Sequence, residues 1–252
     1  MSNKDKLSVD DIIDFLKQER EVYGAFSVSE NRTPDLETDQ PSSKGQNSTD
    51  ENDLKPLTIL EKIDRCKSLE ELKNLSSEAE ELKTDLAGTN LVFGVGNPNA
   101  DLMLIGEAPG EQEDKQGEPF VGAAGQLLNK ILAAINFDRK DVYIANILKH
   151  RPPNNRNPEP EEVNRSLPFL KKQIELIDPK IILCLGKVSG QTMLNSSNTL
   201  GNMRGKFHKF GDRELYVTYH PAALLRNQQW KRPTWEDVQE VRKRYDKLNG
   251  KP

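Results

Sequence analysis

At 252 residues, with 36 Lys and Arg against 40 Asp and Glu and a formal net charge of -4, the chain is long enough for one well-buried domain plus an appendage, and its composition is neither fibrous nor membrane-embedded. No apolar run approaches the roughly 20 residues that a spanning helix needs, and the polar start MSNKDKLS has no signal-peptide apolar stretch. Two cysteines, Cys66 and Cys184, are too few for a disulfide framework, so a soluble, cytoplasmic protein in a reducing setting is expected.

In chain order, residues 8–21 place Val9, Ile12, Ile13 and Leu16 at helical spacing, which predicts a small docking helix within an N-terminal unit, residues 1–26. Residues 27–56 are rich in Ser, Thr, Asn, Asp, Gln and Pro and read as a flexible linker, because they bury too little apolar surface to offset ordering entropy. The third unit, residues 57–252, is expected to be the folded domain, entered through helical patterns over 57–65 and 69–82. From Asp101 onward short apolar runs (LMLIG, VYIANIL, IILCLG, ELYVTY) alternate with longer helical patterns (GQLLNKILAAI, PEEVNRSLPFLKKQIELI, VSGQTML). Such alternation predicts an α/β domain, a doubly wound four-stranded parallel sheet flanked by helices. Ligands bind such sheets at the carboxyl ends of the strands, which singles out the GEAPG turn at 106–110, Asn146 and His220.

The charge is unevenly divided. Residues 1–56 hold 7 basic against 13 acidic side chains, whereas residues 139–232 hold 17 against 8. The second stretch is where a phosphate backbone would be met, although the same charges also read as ordinary solvated faces. The GEAPG turn, with two glycines and a proline, brings backbone N–H groups close to a ligand or merely punctuates a strand. There is neither a Walker pattern nor a dinucleotide GxGxxG, so the common phosphate-loop readings fail.

The ordered set VFGVGNPNADLMLIGEAPGEQEDKQGEPFVGAAGQLLNKIL, VYIANILKHRPPNNRNPEPEEV, PFLKKQIELIDPKIILCLG and TYHPAALLRN resembles the type 4 uracil-DNA glycosylases, from about residue 82 to 244. The resemblance implies the uracil-DNA glycosylase fold, hydrolysis of the bond between uracil and deoxyribose, uracil-containing DNA as partner, and a monomer with no membrane association. It carries uracil binding to Gly106, Ala108, Phe120, Asn146 and His220. Phe120 would stack on the extruded base. The Asn146 amide would match the uracil edge and mismatch cytosine. An imidazole N–H of His220 would stabilise charge on uracil O2. Glu107 completes the catalytic set as a contact to uracil, an aid in positioning water, or a structural hydrogen-bond acceptor.

For DNA contact the candidates are Lys149, Arg151 and Arg156 in the basic run, then Arg204 with Lys206, and finally Leu224, Leu225 and Arg226 in the loop that would enter the minor groove. Paired leucines are read equally well as wedge or as core.

The family's type 4 members hold an iron–sulfur cluster on four cysteines. Leu82, His150 and Ser166 stand where three of those ligands are expected, so the cluster is expected to be absent, with no metal residue assigned. That departure leaves two rival readings beside the glycosylase: a catalytically silent module that binds uracil or single-stranded DNA, and a doubly wound enzyme for a free nucleotide.

Overall fold

A computed structural model describes residues 57–250; the helix expected over 8–21 and the linker over 27–56 lie outside the described residues. The described residues fall within one compact unit. Two helices lead in. The first, α1 (Ile59–Arg65), starts on a capping box in which the Thr58 hydroxyl and the Glu61 carboxylate satisfy each other's backbone N–H; the second, α2 (Leu69–Glu78), starts on the Ser68 hydroxyl. A single 3-10 turn over Glu80–Leu82 follows.

The sheet has six strands: β1 (Val95–Gly96), β2 (Leu102–Gly106), β3 (Tyr143–Asn146), β4 (Ile181–Leu185), β5 (Phe207–Phe210) and β6 (Arg213–Thr218), in spatial order β1-β3-β2-β4-β6-β5. The central four, β3, β2, β4 and β6, are parallel, as the apolar runs predict. The two edges are antiparallel additions beyond the four strands that the apolar runs predict. Only two residues make β1, and β5 shows no continuous apolar run because its edge position leaves it partly exposed.

The crossovers are α3 (Glu111–Gln116) and α4 (Ala123–Ala134) after β2, α5 (Pro160–Ile177) after β3, and α6 (Lys187–Leu194) with α7 (Leu200–Met203) after β4. After β6 come α8 (Pro221–Arg226) and α9 (Lys231–Lys247). Alternate strand residues feed two cores, as both-face burial requires. Met103, Ile105, Ala145, Ile182 and Val217 pack with Leu170 and Ile174 of α5. Leu102, Leu104, Ile144, Leu183 and Tyr216 pack with Leu128 and Leu132 of α4 and Val238 and Val241 of α9. The long α9 was not anticipated. Its polar sequence hides an apolar stripe of Val238, Val241 and Tyr245, the only face it buries among the described residues together with Thr234 and Asp237. A third, smaller core joins α1 and α2 to the domain through Ile63, Cys66, Leu72, Leu82, Phe93 and Phe169. No described helix is long and apolar enough to cross a membrane.

Candidate active site

The carboxyl ends of β2, β3 and β6 bring the expected residues together. Gly106, last in β2, is in register with Asn146, last in β3. A Cβ at Gly106 would overlap both the Asn146 Oδ1 atom and the Phe120 ring, so glycine here lets an aromatic face and an amide close over the strand end. Asn146 is 1% exposed and its Oδ1 has no hydrogen-bond partner among the described residues. Leaving a buried acceptor unpaired costs about 1–3 kcal/mol, which a ligand donor would recover. The Phe120 ring lies 5.4 Å from that of His220, tilted by 33°.

Phe120 adopts a left-handed backbone, φ 54°, which is rare for a bulky residue and costs on the order of 1–3 kcal/mol. Surrounding groups enforce it. Arg139 donates to the Phe120 carbonyl at 3.1 Å and also to the Pro119 carbonyl. The Glu113 carboxylate accepts the N–H groups of Val121 and Gly122, both at 2.9 Å. Gly125 permits the remaining contact, because any Cβ there would strike the Phe120 carbonyl. Neither Arg139 nor Glu113 was identified from the sequence, since nothing local marks a side chain that folds back on main-chain carbonyls or amides.

His220 is the N-cap of α8, and its Nδ1 accepts the backbone N–H of Ala222 at 3.2 Å. Burial, with a smaller contribution from Arg226, pushes its pKa down to about 4, so the ring is neutral near pH 7. A neutral imidazole whose Nδ1 accepts carries its proton on Nε2. Glu107, just past β2, is shifted the other way: burial raises its carboxyl to about 7.

The approach to His220 is braced by a polar cluster. Asp237 of α9, 2% exposed, accepts from Arg204 at 3.0 and 3.1 Å, from the Thr218 hydroxyl at 2.7 Å and from the Tyr216 hydroxyl at 3.2 Å. The Arg204 guanidinium lies 5.0 Å from the centre of the Tyr219 ring, which is stacked on Trp230. Arg204, expected on phosphate, is therefore held in a partly buried ion pair.

Two more of the expected DNA contacts are withdrawn from solvent. Lys149 is 0% exposed and Leu224 is 1% exposed, the latter facing α4 and α9. Their neighbours fare differently: Leu225 is 49% exposed and Arg226 is exposed beside it on α8. Arg156 is paired bidentately with Glu162 at 2.8 Å, and Arg151 donates to the Asn155 side chain at 2.8 Å. Ala108 is half-buried against the first core and Lys206 is exposed.

The donor set does not fit an iron–sulfur cluster. Cys184 is fully buried in β4, while Cys66 packs with Leu82 in the third core and donates its thiol to the Lys62 carbonyl. The Ser166 hydroxyl donates to the Ile147 carbonyl at 2.7 Å, and His150 Nδ1 lies 3.0 Å from the Thr89 hydroxyl. Among the described residues no three His, Cys, Asp or Glu side chains are grouped to hold a metal.

The family model described as the uracil DNA glycosylase superfamily matches residues 93–239, which contain every residue of this pocket. A type-4 uracil-DNA glycosylase of Archaeoglobus fulgidus is 44% identical over 161 residues, covering 61% of this chain and 81% of that protein. Type-4 uracil-DNA glycosylases of Sulfurisphaera tokodaii and Thermotoga maritima are 41% and 39% identical, covering 69% of this chain in both cases and 84% and 94% of those proteins. With the match spanning the sheet, the Phe120 turn and the His220 helix, the chain belongs to the uracil-DNA glycosylase superfamily.

Proposed function

We propose that this protein is a monofunctional uracil-DNA glycosylase, which hydrolyses the N-glycosidic bond of uracil in DNA and so initiates base excision repair. The carrying observation is the buried, unpartnered Asn146 Oδ1, set beside the Phe120 ring. An acceptor held there takes the N3–H of uracil while the amide N–H donates to O4; cytosine presents the opposite pattern and leaves both groups unpaired. Phe120, already paid for in backbone strain, supplies the stacking face.

Bond cleavage sends the electron pair of the C1′–N1 bond onto uracil. The Nε2–H of neutral His220 donates to the O2 where that charge gathers, an interaction strongest in the transition state. Water adds at C1′ and gives up a proton to solvent, the uracil anion takes one from solvent to leave as neutral uracil, and ionised Glu107 is the group assigned to orient the water. Leu225 fills the space left by the flipped nucleotide, and Arg226 meets the adjacent phosphate. The protein is assigned to the cytoplasm as a monomer that works without an iron–sulfur cluster.

The test is incubation with U·G duplex and single-stranded uracil oligonucleotides, followed by alkali. Abasic sites should accumulate in unbroken strands, because no lysine lies in a motif that suggests Schiff-base chemistry. Tight binding of uracil DNA with no abasic product would replace the enzyme by a binding module.

A further inference from the structure

Lys149 sits in a run that reads as basic surface, KHRPPNNR, yet it is among the most completely buried side chains of the domain. Its ammonium donates to the main-chain carbonyl of Asn146 at 2.9 Å and to the Gln173 side-chain carbonyl at 2.6 Å. Gln173, itself 0% exposed on α5, donates in turn to the Phe93 carbonyl at 2.9 Å, and the Tyr143 hydroxyl meets the same amide. Among the described residues no carboxylate pairs with Lys149. An unpaired cation is costly to bury, and an apolar side chain would fill the same space at lower cost.

The arrangement makes sense as part of a loop in which three carbonyls are held by specific donors. The Asn146 carbonyl accepts from Lys149, the Ile147 carbonyl from the Ser166 hydroxyl, and the Lys149 carbonyl from the Val92 N–H at 2.8 Å. The N–H groups of Ile147 and Leu148 bond the carbonyls of Gly106 and Glu107 at 3.0 and 3.1 Å. Asn146 is thus fixed at its main chain while its side-chain oxygen stays free toward the pocket. We infer that Lys149 is a positioning residue for base recognition: its ammonium ties the Asn146 carbonyl to Gln173 on α5 and thereby sets the direction of the Asn146 amide. Burial, which moves this lysine down to about 7, agrees with a group placed for its donors rather than for solvent charge.

The inference rests on the glycosylase reading, and the experiment separates the two. Wild type, Lys149→Met, Lys149→Gln, Asn146→Ala and the double variant Lys149→Met/Asn146→Ala are compared as full-length proteins. The readouts are single-turnover uracil excision, inhibition by free uracil, affinity for uracil-free duplex, and thermal unfolding. Lys149→Met should lose at least about tenfold in excision and a comparable factor in inhibition by uracil, with affinity for uracil-free duplex unchanged. Lys149→Gln, which keeps an N–H donor, should recover much of the loss. The double variant should be no slower than Asn146→Ala alone, because the two residues act as one unit. Excision by Lys149→Met at the wild-type rate, or losses that multiply in the double variant, would overturn the inference. Should Lys149→Met not fold, a Lys149→Gln protein that folds but excises no faster than Asn146→Ala would overturn it equally. An inactive wild type would instead count against the glycosylase reading.

Discussion

The Ala222 N–H donates to Nδ1 of His220 at 3.2 Å, so the first turn of α8 dictates which ring nitrogen faces the pocket as a donor. In the proposed mechanism this couples the His220 contact to the departing uracil with the helix that carries Leu225 and Arg226. Asn146→Ala and His220→Ala should each slow single-turnover excision by at least about tenfold while melting as cooperatively as wild type, and each should exceed Glu107→Gln. Wild-type excision by His220→Ala would remove the imidazole from the chemistry.

The pH dependence follows from two opposite shifts. His220, held near 4, stays neutral down to that pH and contributes no limb around neutrality. Glu107, raised to about 7, is ionised only above it, so excision should rise with pH through about 7 and then level. Glu107→Gln should abolish the rise; a rise that persists in that variant would show that another group titrates. The stability signs also oppose each other. Between its ordinary value of 4.5 and about 7 the folded state holds the Glu107 proton more tightly than the unfolded one, so this group favours folding less as pH rises. Between 6.5 and about 4 the unfolded chain protonates His220 first, so that group disfavours folding as pH falls.

The paired leucines part company. Leu225→Ala should weaken binding and excision on duplex substrates while leaving thermal stability within about 0.5 kcal/mol, since the side chain is half exposed. Leu224→Ala should do the reverse, costing about 2–5 kcal/mol of stability through a cavity facing α4 and α9. Equal effects on duplex binding at constant stability would remove Leu225 from the wedge role.

Arg204 is the sharper test of surface against structure. Arg204→Ala would leave Asp237 buried without its cation, and should cost about 3–5 kcal/mol in unfolding free energy with little change in the salt dependence of DNA binding. A stable variant with a shallower salt slope would restore Arg204 to the phosphate contacts.

These residues also mark how far the sequence speaks. The four parallel strands and their helices follow from apolar runs of strand length separated by helical periods, and Gly106, Asn146 and His220 follow from where such strands end. What stays hidden depends on pairing across long separations. Arg204 meets Asp237 across 33 positions and Lys149 meets Gln173 across 24. No local period records such a meeting, so a lysine and an arginine in a basic stretch look like surface. Phe120 was legible as an aromatic in the motif, but its left-handed backbone and the Arg139 clamp were not. Edge strands β1 and β5 escaped notice because short, partly exposed strands carry little pattern.

The protein should fold and work without iron. A cluster needs four thiolates, or histidines in place of some of them, and the chain has two cysteines and three histidines in all. Position removes what arithmetic leaves. Cys184 lies inside β4, with its thiol pushed far up by burial, and His220 Nδ1 accepts the Ala222 N–H. His208 is hydrogen-bonded to the Met203 carbonyl at 2.7 Å. At the expected ligand positions, Leu82 is packed among Ile63, Leu72, Phe93 and Phe169, and Ser166 and His150 are engaged with Ile147 and Thr89. Apolar contact and hydrogen bonds thus join the α1–α2 segment to the loop after β3 and to α5. Protein purified without oxygen should be colourless and hold no stoichiometric iron, and chelator should leave both its melting temperature and its excision rate unchanged. Replacing Cys66 and Cys184 together by alanine should cost no more than the small cavities require, about 1–2 kcal/mol per site, and should leave excision intact. Leu82→Ala, by contrast, should cost about 2–5 kcal/mol, because in this chain the leucine holds the segment that a cluster would otherwise anchor. A brown preparation with about two irons per chain, lost in the double cysteine variant, would overturn this account and point to a four-iron cluster shared between two chains.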